Sequence, residues 1–101
     1  MIDLKLTQER IYQNKVAKGF NVTDVCREFC YLQGELAEAF AAFNLKQDDI
    51  GEELADVAIY LLGLAEILGV DLETEICRKV DKNEKRTYAR DEDGVMRRTS
   101  D

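Results

Sequence analysis

The sequence predicts an all-α protein, an antiparallel bundle of about four helices completed by homo-oligomerisation. Three observations carry this expectation. The 101 residues contain no proline, the residue that most strongly breaks a helix interior. Two long stretches place apolar residues at steps of four and three, the spacing of a bundle seam. Gly19, Asn44 and Gly69 punctuate the chain as residues that stop helices do. A chain of this length makes one domain, here 1–101, with 91–101 expected as a polar loop or frayed tail.

The first helix is expected within residues 1–20, with Thr7 as N-cap and Gly19 as its stop. Ile11, Val16 and Ala17 form its modest apolar face. Lys15 and Lys18 read as a solvated face, the alternative being reach toward an anion. Helix two starts at the cap Thr23, with Asp24 in its first turn, and runs to about Phe43. Its stripe is Val25, Phe29, Leu32, Leu36, Phe40 and Phe43, flanked by Glu28, Tyr31, Glu35 and Glu38. Gly34 in its middle costs up to about 1 kcal/mol, which close backbone approach or room for a ligand would justify.

Helix three starts at Asp48 or Asp49 and ends near Leu68, with the stripe Ile50, Leu54, Val57, Leu61, Leu64 and Leu68. Glu53 and Asp56 flank that stripe, and the same side continues as Tyr60 and Gly63. From Val57 to Leu68 only Glu66 is charged. A helix that is apolar all round is buried all round, and so small a chain needs further copies of itself to bury it. Helix four, capped by Asp71, is expected to reach about Tyr88, with Leu72, Ile76 and Val80 as its core face. Arg78, Lys79, Lys82, Lys85 and Arg86 make it basic.

Charge sets limits on partners. The formal net charge is −7, and residues 21–70 hold ten acids against two bases, while 71–101 hold nine against eight. An acidic chain of this kind is not a general nucleic-acid binder. Cys26, Cys30 and Cys77 form no CxxC and there is no histidine, so a structural zinc site lacks ligands. The thiols are expected as small buried apolar groups in a reducing compartment. The N-terminus has no signal-peptide pattern and no apolar run reaches membrane-spanning length. The expectation is a cytoplasmic protein with no membrane partner.

The chemistry concentrates in residues 34–57. Glu35 and Glu38 are three apart on helix two, and Glu53 and Asp56 are three apart on helix three, so each pair shares a helix face. A short turn around Asn44–Gln47 folds the two helices back on each other. Four carboxylates then converge, the oxygen-only set that a hard divalent cation prefers. Acids on helices usually form solvated faces. These sit beside the apolar seam instead, and no basic residue lies between Glu28 and Asn44 to neutralise the first pair. Di-iron oxygen chemistry in bundles uses Glu-x-x-His, which a chain without histidine lacks, and passive metal storage leaves the basic helix unexplained. Handling of a polyphosphate uses both features: carboxylates hold Mg²⁺, while Lys79, Asn83 and Arg86 meet phosphate or base.

The sequence resembles the MazG-like nucleotide pyrophosphohydrolases of the all-α NTP pyrophosphatase group. Glu35-Leu36-Ala37-Glu38 and Glu53-Leu54-Ala55-Asp56 match the family's ExxE–spacer–ExxD pattern. The stretches Asn14–Asn21, Gly34–Ala39 and Lys79–Arg86 are similar to the family too, and the likeness covers about residues 8–90. The resemblance implies cleavage of nucleoside triphosphates between the α- and β-phosphates, giving a monophosphate and pyrophosphate in nucleotide-pool house-cleaning. It implies Glu35, Glu38, Glu53 and Asp56 as ligands of Mg²⁺, with Mn²⁺ as a substitute. Lys79 and Asn83 would contact phosphates or nucleoside, with Tyr60 near the sugar or phosphates and Arg86 in support. Homodimers, or homotetramers built as dimers of dimers, are implied as well. Glu52, Glu35 and Glu38 are all candidates for the base that activates water, Glu52 serving equally well as a first-turn acid. The alternatives are a phosphoribosyl-ATP pyrophosphohydrolase and a non-enzymatic helical oligomerisation module.

Overall fold

The structure is a computed structural model and describes residues 1–100. Helix α1 (Leu4–Ala17) begins one turn earlier than expected. Asp3 is the cap: its carboxylate accepts from the Leu6 N–H at 2.9 Å. Thr7 lies inside the first turn, its hydroxyl donating to the Asp3 carbonyl at 2.7 Å. Aspartate adds charge complementarity to the helix dipole, which threonine cannot. Helix α2 (Val25–Asn44) is capped by Asp24 rather than Thr23, with the Arg27 N–H donating to the Asp24 carboxylate at 3.1 Å. Asn21 braces that cap, its Oδ1 accepting from the Asp24 N–H and its Nδ2 donating to the Asp24 carbonyl. Helix α3 spans Ile50–Ile67 and α4 spans Leu72–Lys85, the latter capped by Asp71 as expected. Gly19 (φ 73°) and Gly69 (φ 70°) end α1 and α3 in the left-handed conformation, which glycine adopts without a Cβ clash.

The C-terminal segment departs from expectation. Helix α4 stops before Tyr88 because Arg86 turns extended. Strand β1 (Tyr88–Arg90) then pairs antiparallel with β2 (Met96–Arg98), Tyr88 opposite Arg98 and Arg90 opposite Met96. The Asp91 carboxylate organises the turn, accepting from the Asp93 and Val95 N–H groups and from Arg97 Nε, each at 2.9 Å. Residues 91–100 are therefore a built hairpin rather than a frayed tail. Asp101, the end of the expected tail, lies outside the described residues.

The short 45–49 connection folds α3 back along α2, and these two helices form the main packed pair. Helix α1 packs on α3, and α4 on α1. At the α1–α3 crossing, a Cβ on the buried Gly63 would lie 3.3 Å from Ile11 Cγ2, so glycine sets how closely the helices approach. The buried apolar core is Ala39, Ala42, Leu62, Leu64 and Ala65. That is narrower than the predicted seams. Phe29, Leu36, Phe40 and Phe43 of α2, Leu54 and Leu61 of α3 and Leu68 at its C-cap are exposed, because α2 turns its alanines toward α3 instead. Ile76 and Val80, expected in the core, are exposed on α4 too. All three cysteines are exposed and unpaired rather than buried. The radius of gyration is 17.2 Å, against about 13 Å for a compact domain of this length. No helix among the described residues is long and apolar enough to cross a membrane.

Candidate metal centre

The α2–α3 pair places three of the predicted carboxylates together. One oxygen from each of Glu35, Glu38 and Glu53 lies within 4.8 Å of the other two. Glu35 and Glu53 are half-buried and Glu38 is exposed. Partial burial, then the charges of Glu38 and Asp56, hold the Glu35 carboxyl above its ordinary value. Glu53 is raised by partial burial, then by Asp49, Asp56, Glu38 and Glu52. Among the described residues no lysine or arginine pairs with any of the three, and Glu53 Oε2 is buried without a hydrogen-bond partner. A cluster of like charges with an orphaned buried oxygen is held at a cost. A divalent cation offsets that cost, and an all-carboxylate donor set fits a hard ion such as Mg²⁺ or Mn²⁺.

The fourth predicted carboxylate, Asp56, lies outside this set of three, although its charge reaches both Glu35 and Glu53. Glu52 is exposed and also outside it. The position beside Gly34 is open, with no atom within 4 Å of a built Cβ, so no close helix contact explains that glycine.

Tyr60 links this cluster to a second, buried one. Its hydroxyl is pushed up by burial, then by the charges of Glu35 and Glu28. Its ring meets Tyr31 edge-on at 6.3 Å, and the Lys15 ammonium lies 5.4 Å from its centroid, within cation–π range. Lys15 donates to Glu28 Oε1, and Asn21 Nδ2 donates to Glu28 Oε2 at 3.0 Å. The expectation of a solvated Lys15 is therefore corrected: it is an ion-pair partner from α1 for a buried acid of α2. Burying Glu28 without such a cation would be prohibitive. Glu28 stands seven residues before Glu35, on the same helix face, and that spacing is the signal in the sequence.

The structure does not join Lys79, Asn83 or Arg86 to the carboxylates. No hydrogen bond or ion pair connects them among the described residues, and the packing partner of α4 is α1. These residues instead build an electropositive group. The charge of Arg86, then partial desolvation, Lys82 and Arg98 push the Lys79 ammonium below its ordinary value. Arg86 Nη1 donates to Asn83 Oδ1 at 3.1 Å, while its Nε is buried without a partner.

The structure is similar to that of a MazG-like pyrophosphohydrolase from cyanophage S-2L, with TM-score 0.70, 28% identity, and 97% of this chain and 98% of that one covered. That protein was solved bound to dGDP and three catalytic Mn²⁺ ions per active site. The chain is also 43% identical over 70 residues to the dATP/dGTP diphosphohydrolase of Salmonella phage PMBT28. That alignment covers 69% of this chain but only 23% of the phage enzyme, so the chain spans about a quarter of its length. A MazG-like family model matches residues 30–101, which include Glu35, Glu38, Glu53 and Asp56, and the chain belongs to the MazG-like family.

Proposed function

We propose that this chain is a divalent-metal-dependent pyrophosphohydrolase of purine deoxynucleoside triphosphates, releasing the monophosphate and pyrophosphate. The observation that carries the proposal is the convergence of Glu35, Glu38 and Glu53 within 4.8 Å, with one oxygen of Glu53 buried and unpartnered. These three residues, with Asp56 as the fourth ligand, would hold Mg²⁺, or Mn²⁺ in its place. A divalent cation held there would supply positive charge toward the phosphates and acidify a bound water. The names of the two relatives support deoxypurine substrates and a pyrophosphohydrolase reaction.

The chain's own residues divide the remaining work. A cluster carboxylate within hydrogen-bond reach of the water accepts its proton, with Glu35, Glu38 and Glu52 as candidates. Tyr60, bracketed by Lys15 and Tyr31, forms the wall between the carboxylates and the rest of the substrate. Lys79 and Asn83 contact the phosphates or the nucleoside, with Arg86 in support, a role favoured by the crowded positive charge of Lys79 and Arg86 and by the unpartnered Arg86 Nε. The exposed Phe and Leu stripe of α2 and α3 pairs with another copy in a homodimer or a dimer of dimers. The setting is the cytoplasm, where removal of surplus nucleotides keeps the pool in balance and free thiols stay reduced.

The test is incubation with Mg²⁺ or Mn²⁺ and a panel of ribo- and deoxyribonucleoside triphosphates, with separation of products. Monophosphate plus pyrophosphate is expected, fastest from dATP and dGTP. Diphosphate plus phosphate would put the scissile bond elsewhere. Turnover of phosphoribosyl-ATP alone would transfer the chain to that reaction, and no turnover of anything would leave a non-enzymatic module.

A further inference from the structure

The C-terminal hairpin is fastened to the end of α4. The Thr99 N–H donates to the Thr87 carbonyl at 2.8 Å, and the Thr87 N–H donates to Ser100 Oγ at 2.8 Å. The hydroxyls of Thr87 and Thr99 lie 2.6 Å apart. Thr87 directly follows Arg86, the C-cap of α4. The register of the hairpin sets Arg98 opposite Tyr88, and directly opposed residues share one face of a ladder. Strand β2 thereby returns a guanidinium to the end of the helix.

Lys79, Lys82 and Arg86 stand at steps of three and four residues, which places them on one face of α4. Arg98 joins them from β2. After Arg86, partial desolvation and Lys82, its charge adds to the push that holds the Lys79 ammonium below its ordinary value. None of these four cations has an ion-pair partner among the described residues, and Arg86 Nε is buried without a hydrogen-bond partner. The helix dipole favours cations only within the last turn. It accounts neither for Lys79, which lies before that turn, nor for Arg98 on a strand. Like charges held together, with a buried donor left open, call for an anion. Guanidinium forks and ammonium point charges are donors suited to phosphate. Four of them exceed the roughly two charges of a single phosphate monoester and suit two linked phosphates.

We propose that the hairpin serves the substrate: Arg98 completes, with Lys79, Lys82 and Arg86, a site for the two terminal phosphates that leave as pyrophosphate. The inference rests on the pyrophosphohydrolase reading for the identity of that ligand. It adds Arg98 and Lys82 to the phosphate contacts and gives the hairpin a function.

The probe is inorganic pyrophosphate, titrated by calorimetry in chelator so that the carboxylates hold no metal. Wild type is expected to bind it, and to bind inorganic phosphate at least about 10-fold more weakly, since fewer charged contacts form. Arg98→Ala should weaken pyrophosphate about 10-fold, the value of one hydrogen bond to a charged group. Arg98→Lys keeps the charge and should retain most of the affinity. Arg90→Ala is the control. Arg90 lies on the same hairpin face as Arg98, but its Nη1 donates to the Gly94 carbonyl at 2.9 Å, and pyrophosphate should bind this variant as it binds wild type. Arg90 and Arg98 are both exposed, so thermal melts should match. In turnover, Arg98→Ala should raise KM for dGTP and weaken product inhibition by pyrophosphate, each about 10-fold. Inhibition by dGMP, which lacks those phosphates, should stay within about 3-fold, less than the value of one such contact. No pyrophosphate binding by wild type, unaltered affinity in Arg98→Ala, or equal losses in Arg98→Ala and Arg90→Ala would overturn the assignment and leave the hydrolase reading standing. Pyrophosphate binding that Arg98→Ala weakens, in a wild type that cleaves no triphosphate, would uphold the anion site and sink the hydrolase reading.

Discussion

Lys15 of α1 and Glu28 of α2 form an ion pair at the junction of three helices, with side-chain exposures of only 11% and 1%. Asn21 takes the second oxygen of Glu28, and Tyr60 of α3 lies under the ammonium. Every polar atom of the Glu28 carboxylate is thereby satisfied, which is the condition under which a charge survives burial. The pair ties α1 to α2, two helices whose main packing is to α3 rather than to each other.

Lys15→Met should destabilise the fold by about 3–5 kcal/mol, because it leaves Glu28 as a buried charge without its cation. Glu28→Gln should cost less, since it leaves no buried carboxylate without a cation, although its single amide oxygen can meet only one of the two donors, Lys15 and Asn21. The double variant Lys15→Met/Glu28→Gln should recover part of the loss. Urea unfolding of the four proteins closes the cycle. Additive losses would show that the two side chains do not act as a pair.

The acidic cluster makes the opposite prediction for stability. Glu38→Gln or Glu53→Gln removes one of three crowded charges, so the metal-free fold should hold or gain a few tenths of a kcal/mol. Divalent-metal affinity should fall by at least about 10-fold, and turnover with it. Mn²⁺ binding followed by electron paramagnetic resonance, beside thermal melts in chelator, separates the two effects. Unchanged Mn²⁺ binding in both variants would rule these carboxylates out as ligands.

Much of this arrangement was legible in the sequence, and the exceptions share a cause. Helix number, the Asp71 cap, the Gly19 and Gly69 stops and the approach of Glu35, Glu38 and Glu53 follow from local spacing. Which face of an amphipathic helix meets which partner does not. The stripe Phe29–Leu36–Phe40–Phe43 looks like a core seam, yet the chain packs α2 on α3 through Ala39 and Ala42. Lys15 looks solvated until Glu28, thirteen residues away, is folded beneath it. The hairpin was signalled by Asp93-Gly94, a strong turn pair. The three-residue strands on either side are too short to show a period.

The pH dependence of the metal-free protein follows from the same cluster. Glu35 and Glu53 both titrate above their ordinary value of 4.5. The folded state then binds their protons more tightly than the unfolded chain does. This contribution to stability is present below pH 4.5 and is lost as pH rises through the raised values. Asp71 and Asp91 act oppositely. Both titrate below 3.8 because they accept N–H donors, and their contribution is lost as pH falls. Melts in chelator should therefore peak in mildly acid solution, and Glu53→Gln should flatten the decline on the alkaline side. Mn²⁺ should invert that decline, since it binds only ionised carboxylates. A chelated protein that gained stability from about pH 5 to 7 would contradict the assignment.

The exposed stripe yields the last prediction. Phe40 and Phe43 are 64% and 66% exposed in the isolated chain, and they continue a row that includes Phe29 and Leu36. If the stripe faced water in solution, Phe40→Asp would be nearly silent, within about 0.5 kcal/mol, as surface substitutions usually are. If a second copy covers it, the same change buries an unpaired carboxylate against apolar side chains, at a cost of several kcal/mol per interface. Light scattering coupled to size-exclusion chromatography should then show wild type as a dimer or tetramer and Phe40→Asp as a smaller species with a lower Tm. Because the stripe lies on α2 and α3, which also carry Glu35, Glu38 and Glu53, the dissociated variant should bind Mn²⁺ more weakly although no ligand has been changed. A wild type that runs as a monomer at micromolar concentration, with Phe40→Asp unaltered in Tm, would overturn the oligomeric assignment. It would leave the open, extended shape of the single chain as the working form.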